Sequence, residues 1–183
     1  MINLKNKSPN LLVIGDLMID QYFWGESKRI SPEAPVQIIN IDTESMVLGG
    51  AGNVINNLRA MGANVDVLSV IGNDKNAAIL KDLLKAINVK TDYLVKEDNR
   101  ITSKKSRVIA SQQQVVRYDS ESSDDIDSES QNIIIKTFNK IVNNYEVILL
   151  SDYGKGVLTN QLTQSLINIC LLYTSPSPRD GLL

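Results

Sequence analysis

The stretch Val47-Leu48-Gly49-Gly50-Ala51-Gly52-Asn53-Val54-Ile55-Asn56-Asn57-Leu58 puts three glycines in four positions at the mouth of a run with helical spacing. Without a β-carbon, backbone of this kind can approach a partner closely and adopt conformations other residues avoid. Three partners compete: a dinucleotide's pyrophosphate, a nucleotide's phosphates, or the hydroxyls of a small polar substrate. A dinucleotide fingerprint wants its glycines directly after the first strand, with a third glycine for close helix–strand packing. Here Ile55 stands at that third place and the motif lies far from the first apolar run, so the match is poor. A phosphate-binding P-loop needs Gly, four residues, then Gly-Lys-Ser/Thr. Gly154-Lys155 is followed by Gly156 and has Leu149 where the first glycine belongs, so that reading fails. The third reading has amides at a helix amino terminus bonding substrate oxygens, with Asn53 adding a side-chain donor and acceptor. Its plain alternative is a tight loop feeding a packed helix, and spacing alone leaves both open.

Working outward, Val54, Ile55, Leu58 and Met61 recur at helical spacing, and Gly62 supplies a stop. Residues 11–14 form a short apolar run ended by Gly15-Asp16, as in a buried parallel strand with a polar carboxyl end. Segments 21–24 and 36–42 have β character and flank a stretch with two prolines, which predicts a small flap rather than sheet core. A strand is predicted at 65–71. Asn73 and Asp74 are plausible caps for the next helix, with a buried stripe of Ala77, Leu80, Leu84 and Ile87. Residues 102–110 and 114–118 read as an antiparallel pair joined by a short polar turn, and 119–130 as a solvated loop. Ile133, Ile134, Phe138, Ile141 and Val142 mark another amphipathic helix, before an apolar strand at 147–150 and a final helix from about Thr159 to Cys170. Alternating strands and helices predict an α/β fold.

The chain has 183 residues, 43% of them hydrophobic and 22% charged, which is enough for a real core in one globular domain. A net charge of -2 gives no broad attraction to nucleic acid or anionic membrane, so a small-molecule partner is expected. The single cysteine, Cys170, excludes an intrachain disulfide framework and a thiolate zinc cluster, as suits a reducing cytoplasm. The chain has no histidine, so proton transfer falls to carboxylates, Lys, Tyr or the cysteine. The first ten residues lack an apolar signal core, and no stretch approaches the roughly twenty apolar residues of a membrane span. Residues 173–183 depart from the rest: two prolines and no apolar run stand where the alternation calls for a buried strand. That tail resembles translated sequencing-adapter sequence, and the natural chain is expected to continue beyond about Cys170.

Open α/β sheets bind ligands at the carboxyl ends of their strands. Asp16 and Asp20 stand there after the first strand. Either carboxylate can accept sugar hydroxyls, with Asp16 equally suited to a turn or cap and Asp20 the stronger candidate because it lies beyond the turn. Lys104, Arg107 and Arg117 lie on the antiparallel pair, and Lys28 and Arg29 in the flap; together they are able to hold a phosphate, although most surface cations do nothing specific. Asp152 and Lys155 follow another strand's carboxyl end, with a plain glycine-rich turn as the alternative.

These residues match a known family. Gly49-Gly50-Ala51-Gly52-Asn53, followed by Gly62 and Gly72, resembles the first signature of the ribokinase-like (PfkB) carbohydrate kinases, with Ile55 in place of the usual small residue. The stretches GDLMIDQYFWG, RISPEAPV, QQVVRYD and LSDYGKGVLT are similar to the branch of that family that phosphorylates heptose 7-phosphate. The likeness covers about residues 11–170. It implies a Rossmann-like three-layer α/β/α sandwich with a small β lid that often forms a homodimer interface, residues 1–172 being its amino-terminal part. It implies transfer of the γ-phosphate of ATP, with Mg2+, to the anomeric hydroxyl of heptose 7-phosphate, on the ADP-heptose route to lipopolysaccharide core. Asp20, Gly49, Gly50 and Asn53 would then grip sugar hydroxyls. Lys104, Arg107 and Arg117 would hold the anionic end, with Arg29 reaching in from the lid and Asp152 and Lys155 on the same rim. The family's catalytic aspartate comes from a Gly-Ala-Gly-Asp stretch that this sequence does not contain, so no phosphoryl transfer is expected from this chain alone. Another sugar or nucleoside kinase of the family, or a non-catalytic sugar-phosphate-binding module, are the alternatives.

Overall fold

A computed structural model describes residues 8–173; the tail singled out above lies, from residue 174 on, outside the described residues. Eight strands and four α-helices follow one another along these residues. The first strand, β1 (Asn10–Gly15), is buried from Leu11 onward on both faces, as its unbroken apolar run demands. It is the centre of a parallel sheet of order β5-β4-β1-β8, with β4 at Asn64–Gly72, β5 at Leu94–Glu97 and β8 at Val147–Ser151.

Alternate residues of β1 feed two separate cores. Leu11 and Val13 join Ile55 of α1 (Ala51–Ala60) and Leu80 and Leu84 of α2 (Lys75–Ala86). Leu12 and Ile14 point the other way, onto Ile134 and Phe138 of α3 (Ser128–Ile141) and Leu162 and Leu166 of α4 (Asn160–Tyr173). The result is three layers, helices on both faces of a sheet, each layer closing over one parity of the central strand.

A second sheet of order β3-β2-β6-β7 stands beside this sandwich. Strands β2 (Leu17–Ile30) and β3 (Gln37–Gly50) form a long antiparallel hairpin; β6 (Ser103–Ala110) runs parallel to β2, and β7 (Gln113–Ser120) antiparallel to β6. Leu17, Met18 and Ile19 at the base of β2 are buried, whereas the tip beyond Glu26 is mostly exposed, so this is the expected flap. Asp74 caps α2 as predicted, accepting from the Ala77 amide at 2.8 Å while its other oxygen takes the Thr102 amide at 2.8 Å.

Four expectations shift. Strand β5 was not foreseen, because four residues of mixed polarity at a sheet edge carry no period. Met61 is 75% exposed, since α1 ends at Ala60 before the stripe reaches it. Ile133 is 40% exposed on the outer face of α3. The segment 119–130 is only partly loop: Asp119 and Ser120 complete β7, Ile126 is buried against α3, and Asp127 caps that helix through the Ser130 amide at 2.7 Å.

Candidate functional site

The site forms where β1 gives way to β2. Asp16, 1% exposed, ties three segments together there. Its carbonyl accepts the Ala51 amide that opens α1 at 2.9 Å. Its carboxylate takes the amides of Tyr153, Lys155 and Val157 at 2.8, 3.1 and 3.1 Å, so the loop after β8 is wrapped around one side chain. Three amides fill most of a carboxylate's capacity, which makes Asp16 the turn-holding aspartate rather than a ligand-facing one.

Asp20 faces outward from β2, and β3 is bare where it passes. A β-carbon built on Gly49 would overlap Asp20 Oδ2 and lie 2.9 Å from Met18 Cγ. Gly50, the N-cap of α1, has φ of 54° with no side chain capping the helix, and a β-carbon there would stand 2.6 Å from the Asp16 carbonyl. Both glycines are therefore required, one by space and one also by conformation. They let buried β3 backbone and the start of α1 pack closely beneath the Asp20 and Asp16 turn, with Gly49 directly against the Asp20 carboxylate.

Pairing register decides the neighbours. Asp20 stands opposite Val47 on β3 and Lys105 on β6, and Tyr22 opposite Arg107, which stands opposite Arg117 on β7. Directly paired residues share a face, so Asp20, Tyr22, Trp24, Lys105, Arg107, Arg117 and Asp119 form one polar surface. Arg107 Nη1 donates to Asp20 Oδ1 at 2.6 Å and its guanidinium lies 5.2 Å from the Tyr22 ring centroid, while Tyr22 and Trp24 stack at 6.1 Å. Arg117 holds Asp119 with two hydrogen bonds, at 2.9 and 2.6 Å. Lys105 donates to Asp119 at 3.1 Å and to Glu121 at 2.8 Å, and Lys155 reaches Glu121 at 2.6 Å from the loop after β8.

These pairs shift the titrations. The Arg117 hydrogen bonds hold the Asp119 carboxyl far below the usual carboxylate range, against partial burial. Burial opposes ionisation of Glu121, yet the hydrogen bonds from Lys105 and Lys155 outweigh it and lower its pKa. Burial likewise opposes the charge on Lys105, and the same two carboxylates outweigh it and raise the Lys105 pKa.

The structure thus brings together Asp20, Gly49, Gly50, Arg107 and Arg117, with Lys155 joined through Glu121. Other candidates stand apart. Lys104 pairs with the fully buried Ile19, so it lies on the opposite face of the sheet from Asp20. Arg29 is exposed near the hairpin tip, opposite Ile38, nine residues and about 30 Å along β2 from Asp20. Asn53 is exposed on α1 and lines a cleft of about 400 Å³ with Met46, Leu48, Leu83 and Ile87. Asp152 is exposed and accepts the Gly154 amide at 2.8 Å, a local turn contact.

Sequence reasoning missed Lys105, Glu121 and Arg100. Arg100, 7% exposed, donates to the Asp124 carbonyl at 3.1 Å and to the Lys155 carbonyl. Choosing Lys105 over Lys104 requires the β2–β6 register, a parallel pairing between strands far apart in the chain that no local signal carries. Tyr22 and Trp24 were readable in principle, as i, i+2 partners of Asp20 on one strand face.

The fold is a three-layer α/β sandwich with a glycine-bared strand beside the Asp20 carboxylate. The pfkB family carbohydrate kinase model matches residues 8–173, and the chain belongs to that family. Among curated relatives, the Bifunctional protein HldE of Aliarcobacter butzleri is 63% identical over 164 residues, covering 90% of this chain and 34% of its own length. The Bifunctional protein HldE of Sulfurimonas denitrificans is 54% identical over 167 residues, covering 91% and 35%. The chain therefore spans about a third of the length of these relatives. A solved carbohydrate kinase from Agrobacterium tumefaciens shares the fold at a TM-score of 0.64 and 17% identity, over 92% of this chain and 52% of that one.

Proposed function

We propose that this chain supplies the sugar-phosphate-binding part of a kinase that transfers the ATP γ-phosphate to the anomeric hydroxyl of D-glycero-D-manno-heptose 7-phosphate, giving the 1,7-bisphosphate used for ADP-heptose and lipopolysaccharide core. The observation that carries the reading is the bare Gly49–Gly50 backbone against Asp20, whose carboxylate Arg107 holds at 2.6 Å. Asp20 accepts hydroxyl hydrogens of the sugar, the uncapped start of α1 donates to its oxygens, and the cations beside it offset a phosphate. The heptose assignment is supported by the four motifs quoted above and by the high identity to the HldE proteins.

Kinases of this family use ATP and a divalent metal. Among the described residues no three His, Cys, Asp or Glu converge as a metal site. Asp20, Asp119 and Glu121 are each engaged by a cation, so these residues do not fit a magnesium ion. A homodimer through the hairpin sheet is supported by the exposed Ile30, Val36 and Ile41 toward the hairpin tip, where Arg29 also stands. No described helix is long and apolar enough to cross a membrane, and ATP chemistry on a phosphorylated sugar suits the cytoplasm.

Trp24 is the sole tryptophan and shares the Asp20 face, so its fluorescence reports binding directly. Heptose 7-phosphate is expected to perturb Trp24 saturably, and free sugars or nucleosides to do so far less. Asp20→Asn is expected to weaken binding by about 1.5–3 kcal/mol; unchanged affinity removes Asp20 from the site, and equal response to nucleosides removes the heptose assignment. The chain alone is expected to consume no ATP with heptose 7-phosphate.

A further inference from the structure

One side chain bridges the two sheets. Glu121 follows β7 and takes a different lysine on each oxygen: Lys105 Nζ on Oε2 at 2.8 Å and Lys155 Nζ on Oε1 at 2.6 Å. The three side chains are 12%, 19% and 18% exposed for Lys105, Lys155 and Glu121, so the charges are well withdrawn from water. Both lysines are anchored at the backbone. Lys155 has its amide on Asp16 at 3.1 Å and its carbonyl on Arg100. Lys105 sits in β6 and also donates to Asp119 at 3.1 Å.

Two ammonium groups are thus fixed on either side of a two-oxygen anion, and without that anion they would repel each other. Two oxygens on one central atom, each accepting from a separate cation, are equally what a phosphoryl group presents. We propose that Lys105 and Lys155 form an oxyanion-binding pair for which Glu121 is the resident competitor. Any phosphoryl ligand must displace that carboxylate, so Glu121, not the lysines, sets how weakly a bare oxyanion binds. A ligand that also engages Asp20 brings the extra contacts that win the exchange, which makes Glu121 a filter favouring a phosphorylated sugar over free phosphate. In that biological use the proposal rests on the function proposed above; the ion exchange itself does not.

The test is calorimetric titration of inorganic phosphate into the 183-residue chain and its Glu121→Gln variant. Glu121→Gln is expected to bind phosphate about tenfold more tightly, with a steeper loss on adding salt, because one competing charge is gone. Lys155→Gln added to it is expected to remove the gain. Equal or weaker binding by Glu121→Gln overturns the proposal. Should that variant fail to fold, the wild-type chain decides through the Glu121 carboxyl carbon resonance. A saturable shift with phosphate supports displacement, and an unmoved resonance up to high millimolar phosphate refutes it. Tighter phosphate binding without any heptose 7-phosphate binding would sink the substrate reading and leave this one; heptose 7-phosphate binding with no gain in Glu121→Gln would do the reverse.

Discussion

The two sheets of this protein are held together by opposite means. In the parallel sheet, β1 is buried on both faces between aliphatic layers, and its Leu12, Val13 and Ile14 are fully inaccessible. In the hairpin sheet, β7 is exposed along nearly its whole length, and the side-chain ties that cross from strand to strand are polar: Arg107 to Asp20, Lys105 to Asp119, Ser106 to Gln21 and Gln21 to Glu44. The first sheet gains its stability from burial, about 25 cal/mol for each Å² of apolar surface removed from water. Partly exposed ion pairs contribute less than such burial, because water and salt screen them. What the second sheet offers instead is a surface on which opposite charges alternate.

That contrast breaks first at the core. Phe138, fully buried on the inner face of α3, is expected to cost about 3–5 kcal/mol on truncation to Ala, while Val116→Ala on β7 stays within about 0.5 kcal/mol. Urea unfolding of both variants checks it, and equal losses would mean the hairpin sheet carries hidden load.

The next largest effect separates binding from stability. Gly49→Ala is expected to reduce heptose 7-phosphate affinity at least about tenfold, roughly 1.4 kcal/mol, because its methyl group meets the Asp20 carboxylate. The melting temperature should move less than the affinity does. A variant that melts much earlier but binds normally would assign Gly49 to the fold alone.

Adjacent lysines sharpen the comparison further. Lys105→Gln is expected to lower affinity for the sugar phosphate about fivefold and Lys104→Gln to leave it unchanged, since only Lys105 shares the Asp20 face. The reverse ranking would show that the register of β6 on β2 is wrong.

The smallest effect lies in acid. Asp119 and Glu121 have pKa values lowered in the folded protein. Their contribution is therefore present above the unfolded carboxylate value of about 4 and is lost as the pH falls through the folded values. Between pH 7 and pH 2 the melting temperature of the wild type should fall slightly more than that of an Asp119→Asn, Glu121→Gln double variant. Identical falls would mean the pairs contribute nothing to stability.

Much of this architecture was legible before any coordinates. The run of Leu11 to Ile14, the helical spacing of Ile55, Leu80 and Leu84, and the Asp74 cap are local, and local periodicity follows from backbone geometry that every α-helix and strand shares. The glycines at 49 and 50 announced a close approach for the same reason: a missing β-carbon is visible in the letters. Which group they approach was not visible, because Asp20 comes to Gly49 only through the antiparallel pairing of two 14-residue strands, and the choice of Lys105 over Lys104 depends on a one-residue register that turns every side chain over. Glu121 could be recognised as a bridge only once β6 and the loop after β8 had been folded onto the end of β7. Sequence alone determined the family and every element with a clear period, though not the short edge strand β5; the long-range pairings that assemble charges from three distant segments into one surface were decided by the tertiary structure.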